Sequence, residues 1–108
     1  MPGFTTLVVY PAEVANTFKM DYYLSTHMPL VSKKLSPFGL QSWSIIKLMP
    51  GPDGTEPPYS VVATLNWADA EGLTKASTSP EMKEVVDDVA NFSEKPATFL
   101  AGPVLGTS

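Results

Sequence analysis

Phe4–Tyr10 reads Phe-Thr-Thr-Leu-Val-Val-Tyr, a β-branched and aromatic run that Pro11 ends. That pattern predicts a strand with Phe4, Val8 and Tyr10 on one face and Leu7 and Val9 on the other. Thr17–Leu35 changes to a helical period, with Leu24, Met28, Val31 and Leu35 on one apolar stripe. Ser36-Pro37-Phe38-Gly39 closes the helix, and Leu40–Met49 returns to strand. Pro50–Pro58 is dense in proline and glycine, which predicts a loop at the pocket mouth or the edge of a dimer. Tyr59–Trp67 alternates most clearly. Tyr59, Val61, Ala63, Leu65 and Trp67 share one face, and Ser60, Val62, Thr64 and Asn66 the other. Asp69 is placed to cap a short helix through Ala76, and Ser79 a second, with Pro80 at its first position. In that second helix Met82, Val85, Val86 and Val89 form the buried stripe, and Glu81, Glu84, Asp87 and Asp88 the wet side. Ala97–Leu105 is the last strand.

Strand, helix, strand, strand, helix, strand is the ferredoxin-like βαββαβ order. It implies a single α+β domain over residues 1–108, a four-stranded antiparallel sheet with its helices on one face. The other sheet face carries apolar groups from its strands and needs cover. A second copy packed sheet to sheet about a two-fold axis supplies it, so the expectation is a homodimer, a dimeric α/β barrel. The charged fraction of 17% points the same way, because it leaves little material to cover an extra exposed face.

The formal net charge is −4, so nucleic acid and anionic membrane surfaces lack the basic patch they need. Cysteine is absent, which removes disulfides, thiolate metal sites and thiol nucleophiles. With one histidine as well, no metal site is expected. Met1–Thr6 leads directly into a strand, and no apolar run approaches the roughly 20 residues of a membrane span. The expectation is a cytoplasmic protein. Gly51-Pro52-Asp53-Gly54 has no lysine and no following helix, so it is a turn and not a phosphate cradle.

Phe18–Val31 holds the chemistry. Tyr23 and His27 stand four residues apart and so share one side of a helix. Pro29 lacks an N–H, and its ring clashes with the carbonyl of Ser25. Met28, preceding it, is pushed away from helical backbone. A kink or restart is expected beside the only histidine, whose ordinary pKa suits acid–base work near neutrality. The competing reading is a structural histidine in an ordinary core.

Val9-Tyr10-Pro11, Phe18-Lys19-Met20-Asp21-Tyr22-Tyr23 and His27-Met28-Pro29-Leu30-Val31 together resemble the EthD-like family of the dimeric α/β-barrel superfamily. Tyr59, the helix start at Pro80 and Asn91-Phe92 are similar too, so the resemblance spans nearly the whole chain. The resemblance implies His27 as a pocket residue. It also implies a range of activities: an association with ether degradation, polyketide dehydratases, decarboxylases and cyclases, and cofactor-free oxygenases. Fold alone does not choose among these.

The expected function is a cofactor-independent lyase, dehydratase or cyclase acting on a small hydrophobic, aromatic or polyketide-like substrate. The alternatives are a non-catalytic ligand-binding or accessory protein and a cofactor-free oxygenase. His27 is the candidate catalytic acid/base. Tyr22, Tyr23, Ser44, Tyr59, Asn66 and Phe92 are the candidate substrate contacts, with Trp43 and Trp67 as further apolar walls.

Overall fold

The computed structural model describes residues 3–108. Four strands form one antiparallel sheet: β1 (Phe4–Pro11), β2 (Leu40–Lys47), β3 (Tyr59–Trp67) and β4 (Thr98–Pro103), in the order β2-β3-β1-β4. The two central strands pair Thr6 with Leu65 and Val8 with Ala63. Because paired residues share a face, Thr6, Val8, Tyr10, Ala63, Leu65 and Trp67 all turn toward the helices. This is the ferredoxin-like α+β fold expected from the element order. Among the described residues no helix is long and apolar enough to cross a membrane.

The helical layer begins with α1 (Met20–Tyr22), continues without a break through a π-turn at Tyr23–His27, and runs on as α2 (Met28–Leu35). The π-turn is how the chain accommodates Pro29. The Met28 N–H bonds to the carbonyl of Tyr23, five residues back, and the wider turn gives the proline ring room. The expected kink is therefore a local widening. Met28 stays helical, at φ −67° and ψ −38°, despite preceding a proline.

The extra residue in that turn also shifts the helix phase. Met28, Val31 and Leu35 face the core as their spacing predicts, but the inward position one turn earlier belongs to Tyr23 and not Leu24. Tyr23 is fully buried and Leu24 is left 44% exposed. The predicted stripe thus fails at its first member, because a 3.6-residue period does not hold across a π-turn.

Two short helices complete the layer, α3 (Ala70–Ser77) and α4 (Pro80–Asp87). Both caps are as the sequence suggests. Asp69 Oδ1 accepts from the Gly72 N–H at 2.9 Å, and Ser79 Oγ from the Met82 N–H at 3.1 Å. Gly72 is needed for a second reason: a Cβ there would stand 2.1 Å from the Phe38 carbonyl oxygen. Lys34 Nζ lies 2.7 Å from Glu84 Oε2 and ties α2 to α4.

After α4 the chain tightens into a 3₁₀ turn, Asp88–Asn91. That tightening corrects the reading of Asp88 as part of the wet side. The turn swings its carboxylate inward, and the side chain is only 14% exposed. Val86, expected in the buried stripe, is 47% exposed instead, because it faces an open groove shared with Phe99 and Ala101 of β4.

Candidate active site

The π-turn and the 3₁₀ turn after α4 meet, and the polar groups of the site lie where they meet. His27 Nδ1 is 2.9 Å from Asp88 Oδ2. The other carboxylate oxygen, Oδ1, accepts from the Tyr22 hydroxyl at 2.7 Å and from Asn91 Nδ2 at 2.8 Å. One carboxylate thus gathers three donors, each held by a different turn of backbone.

An apolar aromatic group surrounds the imidazole. Tyr23 lies nearly parallel to it, with ring centres 5.4 Å apart, and Phe92 packs at 4.5 Å. Tyr10 and Phe18 meet Tyr23 edge to face, at 5.9 and 5.0 Å. Such contacts hold a ring in one orientation.

Burial and hydrogen bonding divide the charge within the pair. Burial pushes the His27 imidazole down, and this outweighs the hydrogen bond and charge of Asp88, which pull it up. Burial pushes the Asp88 carboxyl up, but hydrogen bonds from Tyr22, His27 and Asn91 outweigh it and hold the group below its ordinary range. At neutral pH the pair is a neutral imidazole against an ionised carboxylate. The carboxylate can only accept, so His27 donates Nδ1–H and its Nε2 carries a free lone pair.

Nε2 has no hydrogen-bond partner among the described residues. His27 lines a cavity of about 60 Å³ between the sheet and the helices, with Tyr23, Val8, Trp67 and Val89 among its walls. Thr6 also lines it. Its Oγ1 accepts from Trp67 Nε1 at 3.1 Å, which leaves the hydroxyl proton free to donate. The site thus offers one base and one neutral donor within apolar walls. Among the described residues, no three His, Cys, Asp or Glu side chains gather as a metal site would require.

The structure brings four of the seven sequence candidates to this place. His27 and Tyr23 line the cavity, while Tyr22 and Phe92 support His27 from outside it. Ser44 and Asn66 lie on the opposite sheet face. Ser44 bonds Thr64 there, and Asn66 bonds Ser42 and Thr5. Tyr59 is 37% exposed at the start of β3, beside Pro11. None of residues 50–58 lines the cavity.

Asp88 and Thr6 were not singled out from the sequence as site residues, and Asn91 entered only through the family resemblance. Asp88 stands three residues after Val85 and so at the margin of the apolar stripe, but Glu81 stands four before it and shares that mark. Only the change of helix type separates them.

The EthD domain family model matches residues 15–96, which include His27, Asp88 and Asn91. The chain belongs to the EthD family. No protein of curated function matches this EthD-family chain. It is similar in structure to an EthD-like protein from Ralstonia eutropha, at 21% identity and a TM-score of 0.85, over 100% of this chain and 96% of that one. It is also similar to SnoaB, a cofactor-independent oxygenase from Streptomyces nogalater, at 12% identity and a TM-score of 0.62, over 99% and 97%. A dimeric ferredoxin-like protein from Thermobifida fusca matches at 11% identity and a TM-score of 0.58, over 95% and 92%. At these identities the likeness shows the shared fold.

Proposed function

We propose that this EthD-family protein is a cofactor-independent acid–base enzyme, of lyase, dehydratase or cyclase type, acting on a small hydrophobic substrate that carries oxygen. The observation that carries this reading is the Asp88–His27 pair, with His27 in the wall of an apolar cavity. Nε2 takes a proton from a carbon next to a substrate carbonyl, and Asp88 stabilises the imidazolium that forms. The Thr6 hydroxyl donates to the carbonyl oxygen as charge builds on it. In a dehydration, His27 then returns the proton to the departing β-hydroxyl, which leaves as water. In a cyclisation, the carbanion attacks a second carbonyl and the proton goes to the new alkoxide. Either cycle restores neutral His27.

Two rivals share the cavity. In a binding or accessory protein the ligand is held and released unchanged, so turnover separates it. In an oxygenase, the activity given for SnoaB, the carbanion reacts with dioxygen. Oxygen uptake matched to turnover would mark that case. The test of the proposal itself is anaerobic turnover of a β-hydroxy ketone or polyketone probe by the native protein and by His27→Gln.

The proposed assembly is a homodimer through the open sheet face. Ile46 and Leu100 each stand 49% exposed there, and the Thermobifida fusca protein of this fold is dimeric. A stable pairing of this kind buries more than about 1,000 Å². Sedimentation at micromolar concentration should show a dimer, and the double variant Ile46→Asp, Leu100→Asp a monomer. A native monomer would remove the assembly from the account.

A further inference from the structure

The cavity beside His27 is about 60 Å³, while sites that enclose small organic ligands run to roughly 300–1,000 Å³. It has space for a reacting group but not for a whole substrate. The rest of the molecule must lie elsewhere, and one direction is open.

Between α3, α4 and β4 runs an exposed groove of about 410 Å³. Five of its residues, Thr6, Leu73, Met82, Val86 and Phe99, also line the His27 cavity. The two spaces therefore share a wall, with Thr6 at the junction. Val86 and Phe99, at 47% and 56% exposed, give the groove apolar sides that no part of the described chain covers. No charged side chain lines it. Its two other hydroxyls are already donating, Thr74 to the Ala70 carbonyl at 3.0 Å and Ser77 to the Thr74 carbonyl at 2.7 Å, so they offer lone pairs only. Met82, flexible and unbranched, lies in the shared wall and can turn aside without backbone movement.

We infer that the groove is the second half of the substrate site, and that the substrate is an elongated, uncharged molecule. Its oxygen-bearing end enters the cavity beside His27 and Thr6, and its apolar body lies along the groove between Val86 and Phe99. This rests on the reading of His27 as the reactive end, and it adds the length, polarity and direction of the substrate. It also places the body on the helix side of the sheet, clear of the face assigned to the second copy.

The test is binding of a homologous series, 4-methylphenol to 4-octylphenol, followed by tryptophan fluorescence. Affinity should rise about fourfold per methylene, the worth of a buried CH₂, until the groove is filled. Ala101→Trp, on an exposed groove position outside the cavity, should flatten the series while leaving 4-methylphenol binding unchanged. Phe99→Ser, in the wall shared with the cavity, should weaken every member and the long ones most. A native series with no dependence on chain length would overturn the inference. So would an Ala101→Trp protein that binds 4-octylphenol as the native does, or one whose only change is in oligomeric state, since the groove would then seat a second copy. Because the series reads binding and not turnover, it can fail while His27 remains catalytic. It can equally hold when His27→Gln retains full activity.

Discussion

Replacing His27 with glutamine should lower turnover about 10²–10⁴-fold, the usual worth of a general acid or base, while leaving the protein folded. Glutamine keeps much of the size of the imidazole in a position that is only 4% exposed. Its amide N–H can still donate to Asp88 Oδ2, so the half-buried carboxylate is not orphaned and the cost to stability stays small. What it loses is a lone pair of suitable basicity at Nε2. Ligand binding should survive, because Tyr23, Val8, Trp67 and Val89 remain in place. Steady-state kinetics and a thermal melt check both halves. Loss of melting temperature with native specific activity would mark a structural histidine.

Replacing Asp88 with asparagine should cost a similar order, roughly 10²-fold or more, through the tautomer of a residue that is still present. Asp88 Oδ1 accepts from both Tyr22 and Asn91. An asparagine there satisfies those two donors best by presenting its carbonyl to them, which turns its NH₂ toward His27. Nδ1 must then accept, the proton moves to Nε2, and the base in the cavity is lost. The cavity walls are untouched, so the fall should appear in kcat with KM nearly constant. A matching fall in KM would point to ground-state strain instead.

The same pair sets the acid side of the stability profile. Both folded pKa values lie below their ordinary ranges. Below about pH 6.5 the unfolded chain takes up the histidine proton more readily, and below about pH 4 the aspartate proton. Stability from each group is complete above those values and is lost as pH falls through the folded ones. Asp88→Asn should remove the lower of the two losses.

The sheet was legible because period-two alternation in Tyr59–Trp67 and the β-branched run of Phe4–Tyr10 leave one way to bury a face. The caps at Asp69 and Ser79 were legible because their chemistry is local. The π-turn was not: its residues have ordinary helical composition, and the effect of Pro29 was read as a break when the chain relieved it by widening. That one residue of phase exchanged Leu24 for Tyr23 in the core. Half of the site was hidden for the same kind of reason. His27 shows itself as the sole histidine beside a proline, but Asp88 comes from 61 residues away and faces inward only because the helix ends there in a 3₁₀ turn. Thr6, a plain strand threonine, gains its role from the Trp67 N–H that takes its lone pair.

One histidine in the chain gives one imidazole signal, so nitrogen-15 NMR of the native protein across pH reads the state of His27 without assignment. The account predicts a neutral ring at pH 7 with its proton on Nδ1 and Nε2 unprotonated, and a titration midpoint below the ordinary 6.5. A midpoint above 6.5, or a proton on Nε2 in the neutral form, would contradict it.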